Sequence, residues 1–400
     1  MSPLFKHFTP IALPHRVADR FKFLKRRRVE AVVFLLVMCG FFGYLGHVMG
    51  ASNLLNSIMK TAFDKLTNTV LYIMGITVLS GALAKLCVEF GALRLLELLL
   101  KPLVRPLYNL PSVAALAPLM AFFSDNPATI SLARDKTFRS YLTERELVSL
   151  PNFGTSFGMG LIVITYMSSQ GFFSGAMVGL LGAALGGIVA TRLMQHLVRK
   201  SIPKASPEEL AQIRAAHTNE GIGFQSRGNV FDRFLSAILD GGKSGVDLGL
   251  AIIPGVLIIS TFVTLITFGP IDPQVGYQGL AGEGVPILTQ GAQKISSVFR
   301  LLFGFEHPEL IAFPITSLGS VGAALAVVPR FVNQGILGGN EVAVFTAIGM
   351  CWSGFLSTYT AIFDALEHRS LTSKAILAQM VGGISAGILA HLLWLLLQCL

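Results

Sequence analysis

Two stretches decide how this chain is read: Ser112–Pro127, SVAALAPLMAFFSDNP, and Leu310–Val328, LIAFPITSLGSVGAALAVV. Crossing a bilayer takes about 20 apolar residues. Ser112–Phe123 is too short for that and runs into Ser124-Asp125-Asn126-Pro127. The second stretch is long enough but is broken by Pro314, Ser317, Gly319, Ser320 and Gly322. Short or Gly/Pro-interrupted apolar segments are how re-entrant hairpins read, because irregular backbone persists at membrane depth only where protein or water covers it.

The rest of the 400 residues fits that frame. Hydrophobic residues make up 52% of the chain and charged residues 13%, and the mean hydropathy is +0.65. A soluble domain carries about 25% charge, so these residues cannot cover a water-facing surface of this size. The same figures exclude disorder, and four Cys are too few for a disulfide scaffold. Cys39, Cys87, Cys351 and Cys399 lie in or beside apolar stretches without CxxC spacing and read as buried, inert thiols. An all-α integral membrane protein is expected.

Uninterrupted apolar stretches lie near 31–49, 68–87, 152–170, 172–197, 246–268, 342–363 and 374–398. Eight basic residues against Asp19 precede the first, and that bias puts the N-terminus in the cytoplasm, with no cleaved signal peptide. If both broken stretches turn back, only Lys60, Lys65, Lys294, Arg300 and Arg330 of the 31 Lys and Arg fall outside. If each crossed instead, the basic block 192–245 would move outside. About seven spans, two re-entrant hairpins and an outer C-terminus are therefore expected, in a cell inner membrane. The formal net charge of +9 is assigned to the cytoplasmic face and to lipid, not to nucleic acid.

The chain also repeats itself. Pro118, Ser124 and Arg134 recur 196 residues later as Pro314, Ser320 and Arg330. Leu142, Glu146, Gly154 and His196 recur 195 later as Leu337, Glu341, Gly349 and His391, and Gly186-Gly187-Ile188 recurs as Gly382-Gly383-Ile384. Each unit carries three crossings, an odd number, so the second copy must be inverted. The expected organisation is a basic segment 1–30, a first span with outer loop 31–65, repeat 1 at 66–197, a cytoplasmic linker 198–240 and an inverted repeat 2 at 241–400. The linker should hold a short helix near Pro207–Ala216 and is too small for an ATPase domain. Inverted repeats are common in secondary transporters, with the site at mid-membrane between the copies.

Candidate site residues follow from that placement. Asp125 is the acid at a hairpin tip, and a bare charge in lipid costs at least ~2.5 kcal/mol, so it must face protein, water or an ion. It reads as a solute or coupling-cation contact, or as the cap of a following helix; the two are compatible. Asn126 adds donors and an acceptor beside it. The facing spans contribute Asn152, Thr155 and Ser156 in one repeat and Trp352 and Ser353 in the other, while Thr316, Ser317 and Ser320 belong to the second hairpin. Their hydroxyls can coordinate a solute or can simply bond between helices. Trp352 can stack on a ring or fill the bundle.

Other features read as structural. Gly175xxxGly179, Gly182xxxGly186 and Gly383xxxGly387 suit helix packing, and Glu146 and Glu341 suit helix starts. His47, His196 and His391 have no evident ligand partner. Gly241-Gly242-Lys243-Ser244 resembles a phosphate loop, but Ala237 stands where that motif needs Gly. HExxH is absent; no enzyme activity and no cofactor are expected.

Phe231-Asp232-Arg233-Phe234-Leu235, then Gly241 through Leu250 and Ile253-Pro254-Gly255, resembles the opening of a Gate (nucleoside-recognition) domain. Pro118 to Ala128, followed by Leu142-Thr143-Glu144-Arg145-Glu146, resembles the hairpin of the same domain. The superfamily includes concentrative nucleoside transporters, the membrane part of ferrous-iron transporters, and spore-maturation proteins A and B. About residues 66–398 resemble two fused copies. The resemblance implies a ligand and a coupling ion, sodium or proton, between hairpin tips and broken helices, hence roles for Asp125, Asn126, Asn152 to Ser156, Thr316 to Ser320 and Cys351 to Ser353. The tips here read Ser-Asp-Asn-Pro and Ser-Leu-Gly-Ser, and the second lacks an acid or amide, a departure from the nucleoside transporters. The expected function is secondary transport of a small polar solute by alternating access, with a homo-oligomer allowed. The alternative is a non-transporting membrane scaffold or regulatory partner resembling the spore-maturation proteins.

Overall fold

A computed structural model of the chain describes residues 15–125, 136–206 and 229–399, with Glu208, Leu210 and Ile213 between them. Among the described residues the structure is helical and has no strand. Six stretches are long and apolar enough to cross a membrane: Arg27–Met49, Ala51–Glu89, Glu144–Ser169, Phe173–Leu197, Val230–Thr267 and Arg369–Gln398. A seventh is reached if Leu95–Tyr108 and Ser112–Phe123, which meet at 109°, count as one bent span. The chain is a multi-pass, all-α membrane protein.

Helix α1 (His15–Met49) ends at Gly50, whose φ of 84° lets the chain turn into α2 (Ala51–Asp64). The expected outer loop before residue 65 is thus helix. ASNLLNSIMKTAFD carries no Gly or Pro and buries Leu54, Ser57 and Thr61 along one face. One π-helical turn, Lys65–Val70, joins α2 to α3 (Leu71–Glu89). Lys65 is buried there and donates to Ala326 O at 3.1 Å. The amphipathic α4 (Ala92–Tyr108) follows, then the short arm Ser112–Ala115 with α5 (Leu116–Phe123). Asn126, Pro127 and the return of this hairpin lie outside the described residues. Beyond them come α6 (Glu144–Thr155), α7 (Gly160–Ser169) and α8 (Phe173–Leu197).

The second half repeats this order. Helix α9 (Val230–Ala251) starts inside the expected linker because Asn229 caps it, accepting from Asp232 N at 2.9 Å. The expected linker helix near 207–216 falls almost wholly outside the described residues. Another π turn, Val256–Ser260, leads into α10 (Thr261–Thr267). Then come α11 (Ile287–Gln293) and α12 (Ser296–Phe303). The second hairpin is α13 (Ala312–Gly319), extended Ser320, α14 (Val321–Leu325) and α15 (Val328–Asn333). The stretch expected to span at 342–363 is two helices, α16 (Gly339–Trp352) and α17 (Phe355–Ala365), because Gly354 at φ 68° breaks it. Helix α18 (Thr372–Gln398) closes the fold.

Equivalent helices pack on each other. On α8, Gly182 meets Ala386 and Ala390 of α18, while Gly186 meets Gly382 and Ala386, so the two run antiparallel. On α3, Gly81 meets Gly241 while Thr77 meets Gly245, and α3 and α9 are antiparallel too. Two antiparallel pairs of mates are the geometry of a two-fold axis across the helices. Gly241 and Gly245 therefore serve close helix approach inside α9, not a phosphate loop. A Cβ on Gly186 would sit 2.6 Å from Gly382 O, which leaves room for Gly alone.

The α6–α7 stretch is central, 83% buried, whereas the first span is peripheral at 11%. The expectation of four buried thiols is corrected: Cys351 is buried, Cys87 half-buried, and Cys39 and Cys399 are exposed, Cys39 on the peripheral α1 and Cys399 just past the end of α18. Glu146 closes a capping box with Thr143 at the start of α6, and Glu341 accepts from Gly338 N at 2.9 Å at the start of α16.

Candidate functional site

Each repeat ties its hairpin arm to its own broken helix by one backbone bond. In the first, Met159 N, between α6 and α7, donates to Ala121 O at 3.1 Å. In the second, Gly354 N donates to Ser317 O at 3.3 Å. Ala121 and Ser317 are 196 residues apart, and Met159 and Gly354 are 195 apart, the spacing of the sequence repeat. Both break residues are left-handed, Met159 at φ 51° and Gly354 at φ 68°. A non-glycine residue held there is strained, and such strain gathers at functional breaks.

Tip and break also meet across the repeats. Ser353, one residue before Gly354, donates from Oγ to Asp125 Oδ1 at 3.3 Å, joining the tip of repeat 1 to the break of repeat 2. Beside that tip lies a cavity of about 270 Å3 between α3, α5, α7 and α9. Ser124, Thr77, Lys85 and Ser244 supply its polar wall. A carboxylate and a hydroxyl so placed can hold a cation or a hydroxyl- or amine-bearing solute.

Asn152, Thr155 and Ser156 stand on α6 and at its C-terminal end, fully buried. They meet a residue the sequence reading passed over: Gln379, also fully buried, on α18. Gln379 Oε1 accepts from Asn152 Nδ2 at 3.0 Å and from Tyr359 OH at 2.9 Å. Its Nε2 donates to Cys351 O at 2.7 Å and to Ser156 Oγ at 3.3 Å. One amide thus joins α6, α16, α17 and α18. The signal was legible as a Gln inside an apolar span, where a polar side chain needs partners.

The other candidates are occupied locally. Thr316 Oγ1 donates to Ala312 O at 2.6 Å and Ser317 Oγ to Pro314 O at 2.8 Å. Ser320 caps α14, accepting from Ala323 N at 3.3 Å. The Trp352 indole donates to Gln379 O at 3.3 Å and lies over Gly383, filling the bundle. Asn126 lies outside the described residues. The structure therefore joins Asp125 with Ser353 and Asn152 with Ser156, with Thr316 and Ser317 on the arm beside Gly354.

Two GxSxG spacings were also passed over, Gly154 to Gly158 around Ser156 and Gly383 to Gly387 around Ser385. Neither is a nucleophile elbow, which needs a strand-to-helix turn. Ser156 donates to Asn152 O at 2.8 Å and Ser385 to Val381 O at 2.9 Å, each back to its own helix. Among the described residues no three His, Cys, Asp or Glu gather as a metal site would need.

No model of a known protein family and no solved structure matches the chain. It is similar to the sporulation integral membrane protein YlbJ of Bacillus subtilis (strain 168), with 23% identity over 329 residues that cover 78% of this chain and 71% of that protein.

Proposed function

We propose that the chain is a secondary transporter that moves a small polar solute across the cytoplasmic membrane by rocking one repeat against the other. The observation that carries this reading is the bond from Ser353 to Asp125, which links the tip of one repeat to the broken helix of its mate beside a cavity. Any relative motion of the repeats must break or remake it, so occupancy of Asp125 by a cation or solute couples to that motion. Sodium or a proton suits the carboxylate, and a nucleoside-like or other hydroxyl-rich solute suits the hydroxyls around it. The basic N-terminal segment orients this transporter with its N-terminus inside and its C-terminus outside.

A thermal-shift screen of the detergent-purified protein tests it, using nucleosides, nucleobases, amino acids, small carboxylates and divalent cations with and without sodium. A ligand of the folded state raises stability by RT ln(1 + [L]/Kd). The expected result is a shift that Asp125→Asn abolishes while the unliganded melting temperature holds. A shift that survives Asp125→Asn would move the site elsewhere.

A second reading has its own support: a non-transporting membrane scaffold or regulatory partner. Asn152, Thr155, Ser156, Thr316 and Ser317 are all fully buried, and the Gln379 amide has partners for both its oxygen and its nitrogen. A dry centre whose Gln379 amide is partnered on both sides suits a rigid assembly component, and YlbJ is named for sporulation, not transport. Ser124→Cys discriminates the two, since labelling by a water-soluble thiol reagent requires a wet path to the tip.

A further inference from the structure

A second, larger cavity, of about 710 Å3, opens where α4 ends, α6 begins and α8 ends. Arg105, Arg145, Arg192, Arg199 and Lys204 line it against a single carboxylate, Glu146. Three of the five cations are committed. Arg192 donates to Leu107 O and Pro106 O at 2.9 and 2.6 Å, capping α4. Arg145 donates to Ile202 O at 2.8 Å and to Arg199 O at 3.0 Å, capping the end of α8. Arg105 pairs with Glu146 at 3.1 Å, and Glu146 is further held by Thr143 N at 2.9 Å. Arg199 and Lys204 are exposed, and among the described residues their side chains bond to nothing. The cavity's carboxylate is thus consumed and two cations remain uncompensated.

The depth of the cavity follows from α4. Leu95, Leu99 and Leu103 stay 65%, 70% and 49% exposed along one face, while Glu97, Lys101 and Arg105 recur every fourth residue on another. A helix with an uncovered apolar face and a charged one lies in the interface plane, apolar side in the acyl region. Its 109° angle to the membrane-entering arm at Ser112–Phe123 agrees. The cavity opens at the C-terminal end of that helix, at the level of lipid headgroups.

We propose that this cavity binds a phosphate ester, with Arg199 and Lys204 as the primary contacts and the headgroup of an anionic phospholipid as its source. Arg145 and Arg192 form the rigid wall, since their geometry is fixed by the helix ends that they cap. Basic pockets between helices at the membrane surface suit such headgroups, each Lys or Arg adding to the attraction. The site lies at the N-terminal end of α6, about two turns from Asn152 and its partner Gln379, and is independent of the transport reading.

The test uses the full chain in detergent, with melting temperature and native mass spectrometry as readouts. The probes are phosphatidylglycerol, phosphatidylcholine, glycerol phosphate and inorganic phosphate, each on the native protein and on Arg199→Ala/Lys204→Ala. Both residues are exposed and unbonded, so the variant should melt with the native protein in phosphatidylcholine. The expected result is stabilisation and retention of phosphatidylglycerol, with affinity at least about tenfold weaker in the variant. Stabilisation by glycerol phosphate or inorganic phosphate, lost in the variant, would support the phosphate site and assign it a soluble source. Equal binding of phosphatidylcholine and phosphatidylglycerol, or equal phosphatidylglycerol binding by variant and native protein, would overturn the proposal.

Discussion

The two interfacial junctions of the molecule share one plan and differ in chemistry. In repeat 1, α4 ends at left-handed Asn109, and in repeat 2, α12 ends at left-handed Gly304. A glutamate holds the next helix start at each, Glu146 in a capping box with Thr143 and Glu341 accepting from Gly338 N at 2.9 Å. The last carbonyl of each interfacial helix is also claimed. Gln195 Nε2 donates to Tyr108 O at 3.0 Å, and Asn340 Nδ2 donates to Phe303 O at 3.0 Å, with His391 Nδ1 2.7 Å from Asn340 Oδ1. Yet at the offset set by Gly186 and Gly382, the cations Arg192 and Arg199 give way to Ile388 and Leu395. Backbone geometry is conserved between the halves because the same turns must be made. The side chains follow the membrane face each half meets, and the excess of cations collects on one junction.

The sharpest way to break this pairing is at the axis itself. Gly186→Leu forces a side chain where a Cβ already meets Gly382 O at 2.6 Å, and overpacking of this kind costs about 3 kcal/mol. The expected outcome is a lowered melting temperature and a loss of the monodisperse species in size exclusion. Gly43→Leu is the control, because nothing lies within 4 Å of its Cβ. If both variants melt alike, the antiparallel contact of α8 and α18 does not hold the halves together.

A smaller but more informative break lies at the centre, where the two halves are unequal. The counterpart of Gln379 in repeat 1 is Ala183, so the amide at the centre of the polar hub comes from one repeat only. Gln379→Leu removes the acceptor of Tyr359 and one acceptor of Asn152, along with the donor to Cys351 O. Leaving such groups unsatisfied costs about 1–3 kcal/mol each, less whatever relaxation recovers. The expected total is about 2–3 kcal/mol, read as a melting shift smaller than that of Gly186→Leu. Ala183→Leu, in contrast, should act through packing alone.

This asymmetry also marks what was legible in the sequence. Hydropathy located the spans because lipid imposes a length on them, and Pro314 with Ser320 located the second hairpin because they interrupt helix. Polar residues beside Gly354 marked a broken helix at Cys351 to Ser353, although the stretch 342–363 has the length and apolarity of a span. Two features escaped. The amphipathic α2 looked like a loop because its buried face holds Ser57 and Thr61 beside Leu54, not an apolar stripe. The basic cavity was invisible because its residues are spread from Arg105 to Lys204 and only the meeting of α4, α6 and α8 gathers them. Of the candidate site, Asp125 stands two residues past α5, and Asn152 to Ser156 stand on α6 and at its C-terminal end. Gln379, the partner of Asn152 and Ser156, was missed because it was weighed as one more residue of an apolar helix.

The smallest expected effects compare the junctions directly. His391→Leu and Gln195→Leu each remove the side chain that serves the last carbonyl of an interfacial helix, His391 acting through Asn340. The two should differ. Loss of His391 leaves Asn340 Oδ1, which is partly buried, without that partner and should cost about 1 kcal/mol. Loss of Gln195 leaves Asn109 and Tyr108 O beside an open cavity that water can enter, and should cost about half as much. Arg105→Gln should cost least, under about 0.5 kcal/mol and less again in high salt, since Arg105 is 64% exposed in its pair with Glu146. Thermal unfolding of the three variants at low and high salt gives the ranking. If Gln195→Leu proved the most damaging, the basic junction would be a structural keystone, and the freedom of its cavity to accept a ligand would have to be given up.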